Sequence, residues 1–164
     1  MKKLFLAFVM LMLSASSTFA QFEQGKKYVG ASVSGLNASF NNDEDWKIDF
    51  STKLGIMVED NWMITGQLEC NYRKQGFSTI GFGGGVRYYI VQNGLYLGAG
   101  GNLKHSWYEG EKTTDVLPTV QVGYAFFLNR ILTIEPELYY NQSLKSHSDY
   151  SGIGLRIGIG IYLD

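Results

Sequence analysis

The final stretch of the chain, Ser151-Gly-Ile-Gly-Leu-Arg-Ile-Gly-Ile-Gly-Ile-Tyr-Leu163, leaves it few folds to choose from. Its odd positions Ile153, Leu155, Ile157, Ile159, Ile161 and Leu163 are all aliphatic. Its even positions are Gly152, Gly154, Arg156, Gly158, Gly160 and Tyr162. Side chains alternate across a strand with period two, so one face is apolar over its whole length and the other is nearly bare. A strand with one face in water would set Lys, Glu or Thr opposite the aliphatic row, because glycine weakens a strand and marks close approach of other groups. Glycine in that place implies lipid outside and crowding inside.

The same alternation recurs upstream, over 28–36, 46–58, 62–73, 80–90, 95–107, 116–126 and 132–140. Segments of this length match the roughly 9 to 11 residues that a tilted membrane strand needs. Composition agrees: charged residues are 18%, against about 25% in an average soluble domain, while aromatics reach 15%. The connections after the second, fourth and sixth segments (59–61, 91–94, 128–130) are tight. Those after the first, third, fifth and seventh (37–45, 74–77, 108–114, 142–149) are generally longer and more polar. Short turns on one rim and longer loops on the other fit an eight-stranded antiparallel up-and-down transmembrane β-barrel, with both chain ends on the short-turn side.

A soluble barrel with the apolar row turned inward fits the alternation too. However, the polar row is Gly- and Ser-rich, which makes a poor solvent face. Eight strands also leave an interior only just wide enough for side chains; Trp46, Phe50, Trp62, Phe82, Tyr88 and Trp107 would not fit inside with all the aliphatics. With the apolar row outward, Trp46, Tyr72, Trp107 and Tyr140 fall at the loop ends, and Trp62, Tyr88, Tyr124 and Phe126 at the turn ends, as two interfacial girdles. The two prolines each remove a ladder donor; Pro118 is expected at the rim and Pro136 at a bulge or local ladder defect.

The N-terminus reads as a secretory signal: Lys2 and Lys3, an apolar run over 4–13, and small residues ending in Thr18-Phe19-Ala20. That run is too short for a membrane helix of roughly 20 residues. Cleavage is expected after Ala20, giving a signal peptide over 1–20 and a barrel domain over 21–164, with 22–27 as a polar lead-in. The formal net charge is −1 and no basic run supports nucleic-acid binding. The single Cys70 forms no intramolecular disulfide, and no Cys/His cluster suggests zinc. No cofactor, metal or catalytic residue is expected.

With these features the chain resembles the small outer-membrane β-barrel family that includes the OmpA membrane domain and OmpX. The resemblance covers about 28–163 and rests on the signal, the eight alternating segments, the strand Ile134-Glu-Pro-Glu-Leu-Tyr-Tyr140 and the glycine-spaced last strand. Gly158, Ile161 and Leu163 approximate the family's C-terminal targeting pattern. The terminal aromatic of proteobacterial members is absent, which fits a Bacteroidetes-type barrel. The resemblance implies the outer membrane of a Gram-negative bacterium, contact with its lipid and lipopolysaccharide, delivery by the barrel-assembly machinery, and a monomer. It is informative for fold and says little about activity.

Inward phase assigns a lumen charge network of Lys53, Glu69, Arg87, Lys104, Glu135, Glu137 and Arg156. Buried charges are tolerable only when paired. Glu135 or Glu137 should meet Arg156 on the next strand, Lys53 lies diagonal to Glu69, and Gly98 should leave room for Arg87. The expected role is structural or surface-interacting, with a closed, side-chain-filled lumen. The alternatives are a lipid-modifying enzyme and a narrow channel for small or apolar solutes. For catalysis the chain offers His105 with Ser106, and His147 with Ser148 and Asp149. Adjacent strand residues point to opposite faces, so the first pair cannot cooperate.

Overall fold

The computed structural model describes residues 22–38, 48–72, 78–90, 94–108, 111–144 and 151–164. The alternating segments become β1 (Lys27–Ala38), β2 (Ile48–Glu59), β3 (Trp62–Tyr72), β4 (Ser78–Tyr89), β5 (Leu95–Tyr108), β6 (Glu111–Tyr124), β7 (Phe126–Phe127), β8 (Leu132–Asn141) and β9 (Gly152–Leu163). All lie in one antiparallel sheet in the order β6-β5-β4-β3-β2-β1-β9-β8-β7, and a further β6–β8 pairing closes it. Because β6 and β7 are two pieces of one stave, the result is an eight-stave up-and-down barrel. Closure removes every sheet edge, which hydrocarbon demands because it offers no partner to an unpaired backbone group.

Burial runs opposite to that of a soluble protein. The aliphatic row is outside, with Phe82 62% and Ile157 64% exposed, while Arg87 and Glu137 are 1% and 2% exposed inside. In β9, Ile153 to Leu163 face out at every odd position and Gly154 to Tyr162 face in at every even one. The seam between the chain ends runs from Lys27↔Leu163 to Ala38↔Ile153, with one register shift between Val33 and Leu36.

Three features differ from the sequence reading. The polar segment 108–114 is mostly not a loop: β5 and β6 stay in register out to Trp107↔Lys112 and Tyr108↔Glu111. Backbone pairing does not depend on side-chain polarity, so the hairpin continues beyond the apolar band, and its charged extension mimics loop composition. The lead-in is also more than polar spacer. Phe22 is buried, its ring stacked 4.1 Å from Tyr89 with edge contacts to Phe127 and Tyr162. The lead-in is fastened to the β2–β3 turn: Gly25 N–H donates to Met57 O at 2.8 Å, and Gln24 N–H to Asp60 Oδ1 at 2.9 Å. Asn61, at φ 67°, donates its N–H to Phe22 O and accepts from Tyr89 N–H, each at 2.8 Å. Its left-handed conformation, which Asn tolerates better than most residues, serves both bonds. Replacing Phe22 with alanine should cost about 2 kcal/mol, the worth of one buried aromatic, read as a lower denaturant midpoint in detergent.

The third difference concerns Pro118, while Pro136 lies at a local ladder defect as expected. Pro118 lies within β6, opposite Gly101, rather than at the barrel rim, although it sits just past the last described β6–β8 pair, Thr119↔Asn141. Opposite Pro136, the ladder stops after Gly123↔Glu137 and resumes at Phe126↔Ile134, which splits one stave into β6 and β7.

Candidate functional site: the lumen

Each charged residue of the lumen stands at an inward position of its strand: Lys53 on β2, Glu69 on β3, Arg87 on β4, Lys104 on β5, Glu135 and Glu137 on β8, and Arg156 on β9. All are buried except Lys104, which is half-buried toward the loop side. Glu137 is the centre. Its carboxylate accepts from Lys53 Nζ at 2.9 Å, Arg87 Nη2 at 2.8 Å, Arg156 Nη1 at 3.1 Å and the Tyr96 hydroxyl at 3.0 Å. Glu135 accepts from Arg87 Nη1 at 3.0 Å, Tyr28 OH at 2.8 Å, Tyr162 OH at 3.1 Å and Thr133 Oγ1 at 3.0 Å. Toward the loops, Glu69 holds Arg156 Nη2 at 3.2 Å and Lys104 Nζ at 3.3 Å. The charges therefore form one chain, Lys104–Glu69–Arg156–Glu137–Arg87–Glu135, that ends in the phenol pair Tyr89 and Tyr162, whose hydroxyls are 3.0 Å apart.

Arg156 pairs with Glu137, its register partner on β8, and also with Glu69. Lys53 reaches across the lumen to Glu137 and is not ion-paired with Glu69. A diagonal neighbour loses to a carboxylate that barrel curvature brings within 2.9 Å. Gly98 does face Arg87 in register, but the room it leaves is filled by the Gln121 side chain. Arg87 instead packs over the Tyr96 ring at 4.3 Å and Arg156 over Tyr139 at 4.5 Å, contacts that offset part of their lost hydration. The amide orientation of Gln121 that satisfies both neighbours points its nitrogen at Glu137 and its oxygen at Arg87 Nε, 3.2 Å each.

Small cavities lie among these side chains. One cavity of about 20 Å³ touches Thr65, Gln67, Asn102, Thr119 and Gln121, and another of about 10 Å³ lies among Ser32, Lys53, Arg87 and Glu137. Each has room for about one water molecule. At the turn-side mouth, Tyr28, Met57, Met63, Tyr89, Tyr96 and Tyr162 form an apolar layer that Phe22 caps. Among the described residues, side chains reach into the lumen from the Lys104 level to this cap.

On the outer wall, the turn-end aromatics come together in pairs: Trp62 with Tyr88, ring centroids 4.9 Å apart, and Tyr124 with Phe126 at 4.3 Å. Tyr140 is exposed at the opposite end. Backbone register brings Tyr72 and Trp107 to either side of Ser78, and Trp46 lies outside the described residues. His105 Nδ1 is 2.9 Å from Thr114 Oγ1, its register partner. His147, Ser148 and Asp149 lie outside the described residues. Among the described residues no group of His, Cys, Asp and Glu could hold a metal ion.

Sequence reasoning missed Phe22 and a second buried pair, Asp115 with Ser143, joined by a short hydrogen bond. Phe22 is the one large apolar side chain between the expected cleavage site and the first strand, and that isolation was a usable signal. Asp115 gave none, because it directly follows the run 108–114, which reads as solvated loop.

No family model and no curated protein matches the chain. Solved structures do match in fold. The N-terminal β-barrel domain of Pseudomonas aeruginosa OprF aligns over 85% of this chain and 98% of its own, with TM-score 0.60 and 10% identity. The Yersinia pestis outer membrane protein Ail in a phospholipid bilayer nanodisc aligns over 85% and 100%, with TM-score 0.57 and 12% identity. A de novo designed transmembrane β-barrel aligns over 86% and 98%, with TM-score 0.56 and 15% identity. At such identities the likeness is one of fold: this chain is an eight-stave transmembrane β-barrel.

Proposed function

We propose that the protein is a monomeric integral barrel of a Gram-negative outer membrane, exported by a signal peptide cleaved after Ala20, with a closed lumen and a structural or surface-interacting role. The apolar wall is suited to outer-membrane lipid and lipopolysaccharide, and the barrel architecture supports delivery by the barrel-assembly machinery. The likeness to the outer membrane protein Ail supports the location.

The observation that carries the closed lumen is Glu137, whose carboxylate ties together side chains from β2, β4, β5 and β9 across the lumen. A hydrated pore would leave such charges separated by water; here they touch. The lipid-modifying alternative draws no support from His105, which is bonded to Thr114 on the neighbouring strand. Planar-bilayer recording of the refolded protein should show no sustained conductance. A steady open pore would refute the closed lumen, whatever its selectivity.

A further inference from the structure

Both prolines of the chain withhold their donors from the same seam. In an antiparallel strand, the N–H and C=O of one residue face the same neighbour, and successive residues face opposite neighbours. Just before β8, Ile131 O accepts from Tyr162 N–H of β9, so odd residues there face β9 and even residues, Pro136 included, face β6 and β7. At the end of β6, Ala125 N–H donates to Gly94 O on the β5 side, so even residues, Pro118 included, face β8. Pro118 O does accept from Gln142 N–H at 2.9 Å on that side. Its ring nitrogen can return nothing. Pro136 likewise has no N–H to offer toward its register neighbour Tyr124, and the ladder is interrupted at this level. The register before and after the gap is unchanged, so no residue has been inserted; one donor, the N–H that Pro136 lacks, is missing.

Other seams are paired without interruption, β5–β6 from Leu95↔Tyr124 to Tyr108↔Glu111 and β3–β4 from Trp62↔Tyr88 to Tyr72↔Ser78, whereas this one, with backbone bonds out to Leu144 N–H on Val116 O at 3.3 Å, lacks a donor at two levels within its length. The β6–β8 seam is instead laced from the inside by side chains. Ser143 Oγ donates to Asp115, Thr119 Oγ1 donates to Asn141 Oδ1 at 2.7 Å, and the Gln121 amide donates to Glu137 at 3.2 Å. Lipid cannot replace a broken backbone bond, so a barrel wall parts where the fewest must be broken. Side-chain clasps that face the lumen can be exchanged for water entering from the loop side.

We propose that the β6–β8 seam is a lateral gate, where the wall parts and opens the loop-side half of the polar lumen toward the bilayer while the β1–β9 seam stays shut. The gate requires a barrel in lipid but not a sealed lumen, so an open pore in bilayer recordings would leave it standing.

Strand β8 carries its own control. Amide hydrogen exchange, followed by NMR on the protein in phospholipid nanodiscs, should find Leu138 and Tyr140, which face β6, exchanging about tenfold faster than Glu137 and Tyr139, which face β9. Equal rates, or faster exchange on the β9 side, would overturn the gate. Pro136→Val puts a donor back at a lipid-facing position, and should slow Leu138 and Tyr140 to within about threefold of their odd-numbered neighbours. If Pro136→Val folds and the rates do not move, the proline is not the cause and the assignment fails; if it does not fold, the unmodified protein still decides.

Discussion

Replacing Glu137 with glutamine should lower stability by about 3 to 5 kcal/mol, the usual cost of removing one partner from a buried ion pair. The reason is what remains: Lys53 loses the carboxylate it pairs with, and Arg87 and Arg156 each keep one carboxylate of two. Glutamine preserves shape and one acceptor, so the effect isolates charge. Urea unfolding of the refolded protein in detergent or vesicles measures it. Adding Lys53→Met to Glu137→Gln should recover more than half of the loss, because the stranded ammonium is then gone. A loss below about 1 kcal/mol, the range of solvated surface pairs, would mean that water fills the lumen and the ion network is not dry.

The second large effect concerns the outer wall. Ile157 lies between Val33 and Pro136 in register and is the most exposed aliphatic of β9. Ile157→Lys should cost about 2 to 4 kcal/mol in a phospholipid bilayer if it lies near the midplane, and Leu163→Lys, at the end of the strand, about 0 to 1 kcal/mol. The contrast between the two sites matters more than either value, since a general intolerance of lysine would affect both. A neutral Ile157→Lys would mean that the aliphatic row does not meet hydrocarbon.

The alternation of grease and glycine in residues 151–163 was enough to assign a strand, because period two is a local property of the backbone; membrane and phase needed in addition the narrow interior of eight staves and the aromatics at the strand ends. A pairing of Arg156 with Glu135 or Glu137 was legible because β8 and β9 are sequential strands, and the register selects Glu137. Lys53 with Glu137 was not legible, since their meeting depends on how far every intervening pair is staggered when the sheet closes. The charged end of the β5–β6 hairpin was misread because hydrophobic pattern reports surroundings rather than hydrogen bonding, and beyond the apolar band the two part company. Pro136 announced a defect by its missing donor. That Pro118 withholds its own from the same seam required the hydrogen-bond facing of β6, which a period-two pattern of side chains does not report.

Glu137 has a consequence for assembly. A half-formed sheet holding only β8 and β9 can give this carboxylate Arg156 and nothing more; Lys53, Arg87 and Tyr96 arrive when the first half of the chain has curled round to face it. A cylinder with one stave too few or too many would set those groups at the wrong distance. The carboxylate thus acts as a gauge of circumference, satisfied only when the wall has closed on the right number of staves.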